Sequence, residues 1–138
     1  MKFTRRASAN WKGTGMEGKG SITTQSKALD TTPYSFKTRF DDVVGTNPEE
    51  LIGAAHSGCY TMQLSFLLTE LGFPADNLDT DAKVTFEDGT ITEIALNLKA
   101  TIPGISEEAF QETATKAKEI CPVSKLLNAK ISLTAALV

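Results

Sequence analysis

The chain of 138 residues has few of the residues that build metal sites and little excess charge. It contains two cysteines and one histidine, and its net charge is −3. Structural zinc sites take four Cys or His ligands, which this set leaves unfilled, so we predict no metal. The slightly acidic balance disfavours nucleic acid and anionic membranes, because both attract basic surfaces.

Long apolar runs are also absent. The N-terminal stretch contains basic residues but lacks the apolar segment of a secretory signal. The most apolar stretch, Leu51–Leu71, is interrupted by His56, Gln63 and small polar residues, so it does not read as a membrane span. These absences predict a cytoplasmic protein that is not bound to a membrane.

The two cysteines, Cys59 and Cys121, lie far apart in the chain. A reducing cytosol keeps such residues as thiols. Two interpretations stay open: both are inert core residues, or they form a transient catalytic pair. Free cysteine is commonly buried, so composition alone favours the inert interpretation.

A central helix is the strongest local signal. Asn47 can cap it, Pro48 suits its first position, and Glu49 and Glu50 place carboxylates at the positive end of the helix dipole. A glycine and a proline after residue 71 end it. Because it is almost uncharged and rich in small residues, we expect it to be buried on nearly all sides.

The remaining chain alternates polar and apolar residues with the period of strands. The third predicted strand places Arg39 on a solvated sheet face. Asp88-Gly89 is a tight-turn dipeptide, and Ser106 caps a second helix that runs to about Ile120. The predicted strands are residues 2–11, 21–27, 34–40, 78–86, 94–102 and 131–137, with a last short helix over 123–128.

Strands grouped in runs indicate the α+β class, with antiparallel sheets around the buried helix in a single domain, 1–138. The three N-terminal strands are few and polar. A sheet of this kind and a helix covered on all sides together predict an obligate homodimer, in which each chain completes the core of the other.

The two thiols have different electrostatic surroundings. Cys121 precedes Pro122 at the cap of the last short helix, where backbone N–H groups can stabilise a thiolate. Cys59 lies deep within its helix and needs a cation from outside. The candidates are His56, on a neighbouring part of the same face, and an arginine from elsewhere; a lone helix histidine is more often structural.

Three motifs resemble the OsmC branch of the OsmC/Ohr family of peroxide-removing proteins: TNPEELIGAAHSGC, the later CPVSKLL, and TRF at residues 38–40. The resemblance covers nearly the whole chain. It implies an OsmC-like fold and an interlocked homodimer whose active sites lie at the subunit interface. It also implies that no cofactor is needed.

The resemblance further implies the chemistry. Cys59 reduces an organic hydroperoxide, with hydrogen peroxide as a second candidate, and becomes a sulfenic acid. Cys121 condenses with it to a disulfide, which a dithiol such as a lipoylated protein reopens. Arg39 and Glu49 hold the reactive thiolate. Ten residues of helix span about 15 Å, so we hypothesise that Glu49, with or without Arg39, acts on Cys59 of the partner subunit.

Two alternatives belong to other classes of protein. One is a redox-responsive binding protein, in which the same disulfide changes partner affinity without turnover. The other is a non-catalytic dimeric stress protein with inert cysteines.

Overall fold

The computed structural model describes all 138 residues and divides them into two compact units, Met1–Leu51 and Ile52–Val138. It combines two three-stranded sheets with three α-helices, which confirms the α+β class. The elements are β1 (Ala7–Lys12), β2 (Lys19–Thr24), β3 (Thr32–Tyr34), a 3-10 helix (Lys37–Arg39), α1 (Pro48–Glu70), β4 (Asn77–Glu87), β5 (Thr90–Thr101), α2 (Glu107–Ile120), α3 (Pro122–Leu126) and β6 (Lys130–Leu137).

The first unit contains the antiparallel sheet β1-β2-β3. Its centre is an aromatic contact between Trp11 and Tyr34, whose ring centroids are 5.2 Å apart. Gly20 lies opposite both residues in the register. A side chain at this position would collide with both rings, so the glycine is what lets the two aromatic side chains close over the strand.

The predicted strand over residues 34–40 is wrong. The strand ends at Tyr34, and Arg39 lies in the 3-10 helix rather than on a sheet face. The cause is local hydrogen bonding between Ser35 and Thr38. The Thr38 hydroxyl donates to the Ser35 carbonyl at 2.8 Å and accepts from the Ser35 N–H at 3.1 Å. Such bonds satisfy the backbone without a sheet partner and turn the chain.

The second unit contains the sheet β4-β5-β6. Strands β4 and β5 form the predicted antiparallel hairpin, and Asp88 and Gly89 at its turn have φ of 47° and 81°. Positive φ at both positions is the geometry of a type I′ turn. This hairpin confirms the turn predicted from the Asp-Gly dipeptide.

The last strand corrects the expectation of purely antiparallel sheets, because β6 pairs with β5 in parallel. Between them the chain passes through α2 and α3, and a helical crossover returns it in the same direction along the sheet. Alternation of polar and apolar residues cannot reveal this, since it is the same in both orientations.

The core of the second unit lies between the sheet and helices α1 and α2. Tyr60 joins the two helices, because its buried hydroxyl donates to the carbonyl of Ala114 at 3.2 Å. Fully buried apolar side chains fill the space around it: Leu64, Leu68, Ile94, Leu98, Phe110 and Ala117. This core fixes the helix that contains Cys59.

Within the chain α1 is not covered on all sides, which corrects the expectation from its composition. His56, Tyr60 and Leu64 are fully buried on one face. Met62 and Phe66, on another face, each remain 63% exposed. That a second copy of the chain covers this exposed face of α1 stays a prediction. No helix combines the length and the apolar character needed to cross a bilayer.

The start of α2 yields a stability prediction. The Ser106 hydroxyl accepts a hydrogen bond from the Ala109 N–H at 3.1 Å, as the predicted cap should. Ser106→Ala should reduce the free energy of unfolding by about 1 kcal/mol, because the N–H loses its partner. Ser106→Asp restores an acceptor and should stay close to wild type. Urea unfolding at matched protein concentration tests this; equal stability of the two variants would contradict the capping role.

Candidate active site

Two free thiols meet in the second unit. Cys59 on α1 and Cys121 at the start of α3 are 62 residues apart in sequence, yet their Sγ atoms are 3.2 Å apart. Cys121 is fully buried, whereas Cys59 is partly exposed. An oxidant from solvent therefore meets Cys59 first, and Cys121 lies behind it within bonding reach after a small movement.

The position of Cys121 follows from the corner between two helices. Its N–H donates to the Ala117 carbonyl at the end of α2, and its own carbonyl accepts from the Lys125 N–H in α3. Pro122 has no N–H to continue α2, and it suits the first position of α3. The backbone of Cys121 is thus held on both sides, as the C-cap of α2 and the predicted N-cap of α3.

The surroundings of Cys59 favour the protonated thiol. Burial raises its pKa, and the neighbouring Cys121 thiol adds to the rise. A hydrogen bond from the Val123 N–H, in the first turn of α3, acts in the opposite direction. No positive charge is among these influences, and residues 52–138 contain no arginine. An arginine that stabilises the Cys59 thiolate can therefore come only from residues 1–51 of this chain or of another copy.

His56 does not supply that cation. Its ring is fully buried, and burial lowers its pKa below the ordinary value, so the imidazole is neutral at pH 7. Its Nε2 lies 2.7 Å from the Ser124 hydroxyl of α3. Its Nδ1 has no hydrogen-bond partner. Of the two types of cation considered from sequence, the arginine remains.

Arg39 and Glu49 meet in the first unit. The Arg39 Nε donates to Glu49 Oε2 at 3.2 Å. Asn47 aligns them: its amide nitrogen donates to the Thr38 carbonyl, beside Arg39, while its oxygen accepts from the Glu50 N–H. The predicted cap of α1 therefore also fixes the 3-10 helix to the helix start.

A small aromatic cavity of about 150 Å³ adjoins this pair. The residues that line it include Trp11, Tyr34, Phe36 and Arg39. The Arg39 side chain is 32% exposed and the Glu49 side chain is 16% exposed. The first unit thus presents a guanidinium, oriented by a carboxylate, next to an apolar surface.

The four predicted site residues therefore form two pairs: Cys59 with Cys121, and Arg39 with Glu49. Sequence reasoning missed Ser124 and the N–H of Val123, which reach α1 from α3. A hydroxyl three residues after Cys121 was the available signal for Ser124. No cluster of three or more His, Cys, Asp or Glu side chains lies close enough together to hold a metal ion.

The family model described as OsmC-like protein matches residues 40–136. The chain is also 44% identical to the peroxiredoxin OsmC of Escherichia coli strain K12, over 96% of each chain. It belongs to the OsmC-like family.

More distant relatives and solved structures also match this chain. The organic hydroperoxide resistance protein of Xanthomonas axonopodis pv. citri is 28% identical over 83% of each chain. The crystal structure of an OsmC-like protein from Mycoplasma pneumoniae superimposes with a TM-score of 0.80, covering 100% of this chain and 99% of the other at 14% identity. At that identity the match shows the fold, and it confirms the OsmC-like fold expected from the sequence.

The sulfur contact predicts easy closure of a disulfide. A mild thiol oxidant such as diamide should convert both thiols of one chain to an intramolecular bond without loss of the far-UV circular dichroism spectrum. Only a small displacement of the sulfurs to a bonding distance of about 2.05 Å is needed. Mass spectrometry of the unreduced peptides checks the pairing, with Cys121→Ser as the control. Chains linked to each other instead, or a loss of helix signal, would contradict the contact.

Proposed function

We propose that this OsmC-like chain, acting as one domain over residues 1–138, is a thiol-dependent peroxidase that reduces organic hydroperoxides to alcohols. The observation that supports it most is the contact of a partly exposed and a buried thiol at 3.2 Å. The 44% identity to a protein named peroxiredoxin OsmC, and the likeness to an organic hydroperoxide resistance protein, support the substrate class.

The first step uses Cys59. Its thiolate attacks one oxygen of the hydroperoxide, the O–O bond breaks, and an S–O bond forms. The sulfur is oxidised to a sulfenic acid, while the substrate takes up a proton and leaves as the alcohol. A cation near the sulfur stabilises both the thiolate and the charge that develops on the departing oxygen.

The second step uses Cys121. Its sulfur attacks the Cys59 sulfenic acid, an S–S bond forms, and the S–O bond breaks to release water. An external dithiol then reduces this disulfide to the two thiols and is itself oxidised to a disulfide. A lipoylated protein is the class of reductant that we propose. All electrons come from thiols, so the proposal includes no cofactor.

We assign the cation to Arg39 and its orientation to Glu49. Arginine stays charged at every physiological pH, and its planar fork can bind a carboxylate while it faces another anion. The ion pair at 3.2 Å keeps the two residues together, so they reach a thiol as a unit. Residues 52–138 contain no arginine, so an arginine that acts on Cys59 comes from residues 1–51 of the same chain or of a second copy.

The pair acts, in this proposal, on Cys59 of the partner subunit in a homodimer. Helix α1 is continuous from Pro48 to Glu70. Glu49 and Cys59 are therefore about 15 Å apart along it in one chain. The exposed Met62 and Phe66 on α1 support a second copy as its cover, because large apolar side chains gain stability when they leave water.

Turnover tests the function directly. Purified protein with dithiothreitol should consume tert-butyl and cumene hydroperoxide over many equivalents. Cys59→Ser should abolish consumption, because it removes the nucleophile. Cys121→Ser should lose turnover and accumulate sulfinic and sulfonic acid at Cys59, since nothing resolves the sulfenic acid. Peroxide assays with peptide mass spectrometry give both readouts, and hydrogen peroxide serves as the comparison substrate.

Other results would favour the alternatives. A single stoichiometric oxidation without turnover indicates a redox-responsive binding protein. Failure of Cys59 to oxidise at all indicates an inert thiol, and the peroxidase proposal is then wrong.

Mixed dimers test the assignment of Arg39. A Cys59→Ser chain and an Arg39→Met chain should each be inactive as homodimers. In their heterodimer, the intact Cys59 faces the intact Arg39 across the interface. About half of the wild-type activity should therefore return, since one of two symmetric sites is complete.

The matched control is the heterodimer of wild type with a Cys59→Ser, Arg39→Met double-mutant chain. If Arg39 acts on the partner's Cys59, the wild-type Cys59 of this dimer faces the substituted position and stays inactive. Activity in the control without activity in the test pair would show instead that Arg39 serves the thiol of its own chain. Glu49→Gln can replace Arg39→Met in the same design.

A further inference from the structure

We propose that His56 is a positioning residue for disulfide formation, because through Ser124 it holds α3 against α1 and so keeps the Cys121 thiol on Cys59. The inference rests on the proposed peroxidase function. It concerns the second step, the attack of Cys121 on the sulfenic acid, and not the reduction of peroxide.

Helices α1 and α3 meet through contacts of two successive turns of α1. His56 and Cys59 are three residues apart and share a face of α1. Opposite them, the Cys121 Sγ lies 3.2 Å from the Cys59 Sγ, and the Val123 N–H donates to the same sulfur. The Ser124 hydroxyl lies 2.7 Å from His56 Nε2. The contact between His56 and Ser124 links the two helices through side chains and involves neither of the reacting sulfurs.

Helix α3 needs such a link because it is short. It has five residues, and no side-chain hydrogen bond caps its start. A helix of this length is unstable by itself, since few backbone bonds offset the cost of its first turn. Val123 packs against the core, but Leu126 near the end of α3 is 78% exposed. The orientation of α3 therefore depends in part on what holds it to α1.

Burying the His56 imidazole at this position costs more free energy than burying an apolar side chain would. It is fully buried, and its Nδ1 is the one buried side-chain polar atom without a hydrogen-bond partner. An unpaired buried donor is more costly than an unpaired acceptor, so we assign the ring proton to Nε2, which donates to the Ser124 oxygen. A leucine at position 56 would also fill the space. What the histidine adds is the hydrogen bond to Ser124.

Position decides the fate of the oxidised Cys59. The Cys121 sulfur attacks the sulfenic acid, the S–S bond forms as the S–O bond breaks, and the thiol proton leaves with the hydroxyl as water. A second peroxide molecule competes for the same sulfenic acid and oxidises it irreversibly to sulfinic acid. Cys59 is partly exposed, so this competitor has access. A displaced α3 slows the attack by the Cys121 sulfur. It does not hinder the second peroxide molecule, which reaches the sulfenic acid from solvent.

Ser124→Ala removes the hydroxyl with little change in volume. In rapid-mixing experiments with cumene hydroperoxide, sulfenic acid formation should slow less than disulfide formation, because at Cys59 only the contact with the Val123 N–H changes. Disulfide formation should slow about tenfold, the factor expected for loss of one buried hydrogen bond. The peroxide concentration that gives half sulfinic acid should fall by the same factor. Backbone amides of α3 should exchange hydrogen faster in the reduced protein.

Three further variants separate the hydrogen bond from general packing. His56→Gln places an amide N–H near the position of Nε2 and should retain most of the resolution rate. His56→Leu fills the space without a donor and should match Ser124→Ala. The double variant His56→Leu, Ser124→Ala should be no slower than either single change, because both remove the same contact. Ser57→Ala deletes another α1 hydroxyl, which bonds only within its own helix, and should change neither step.

The outcomes distinguish the positioning role of His56 from the proposed peroxidase function. If Ser124→Ala forms the disulfide at the wild-type rate, or if both steps slow equally, the positioning role is wrong while the peroxidase stands. Equal slowing by His56→Gln and His56→Leu also overturns the role, because it shows that ring packing and not the hydrogen bond matters. Absence of sulfenic acid in the wild type overturns the peroxidase itself.

Discussion

The proposed chemistry depends on one contact, that between the Cys59 and Cys121 sulfurs at 3.2 Å. The contact exists because the chain turns sharply between α2 and α3, with Cys121 as the cap of both helices. Pro122 enforces that turn, and the parallel β5–β6 pair fixes the direction of the crossover that contains it. The turn between α2 and α3 is thus needed both for the fold and for the contact between the two sulfurs.

The two thiols and the proposed cation belong to different units of the chain. Burial raises the Cys59 pKa, and the neutral His56 does not offset this. The guanidinium of Arg39 is held by Glu49 in the other unit, beside a small aromatic cavity. Under the proposed dimeric arrangement, the reactive thiolate forms only where two chains meet. Reactivity is then linked to assembly, because an isolated unit lacks one half of the site.

In the proposed positioning role of His56, a polar contact holds a reacting atom in place without touching it. Helix α3 is too short to be stable alone, and its contacts with α1 include the buried His56–Ser124 pair. Such a pair is directional, which apolar packing is not. In the reduced protein it holds the corner where Cys121 and the Val123 N–H both face one sulfur.

The sequence by itself determined the helix starts at Asn47 and Ser106, the Asp88-Gly89 turn and the α+β class, because caps and turns depend on neighbouring residues. It also identified the two thiols. It misplaced Arg39, since Ser35 and Thr38 bond locally instead of joining the sheet. Only the tertiary structure decided the parallel direction of β6, the sulfur contact and the Ser124–His56 bond. These join residues from distant parts of the chain, and no local pattern encodes which distant elements pack together.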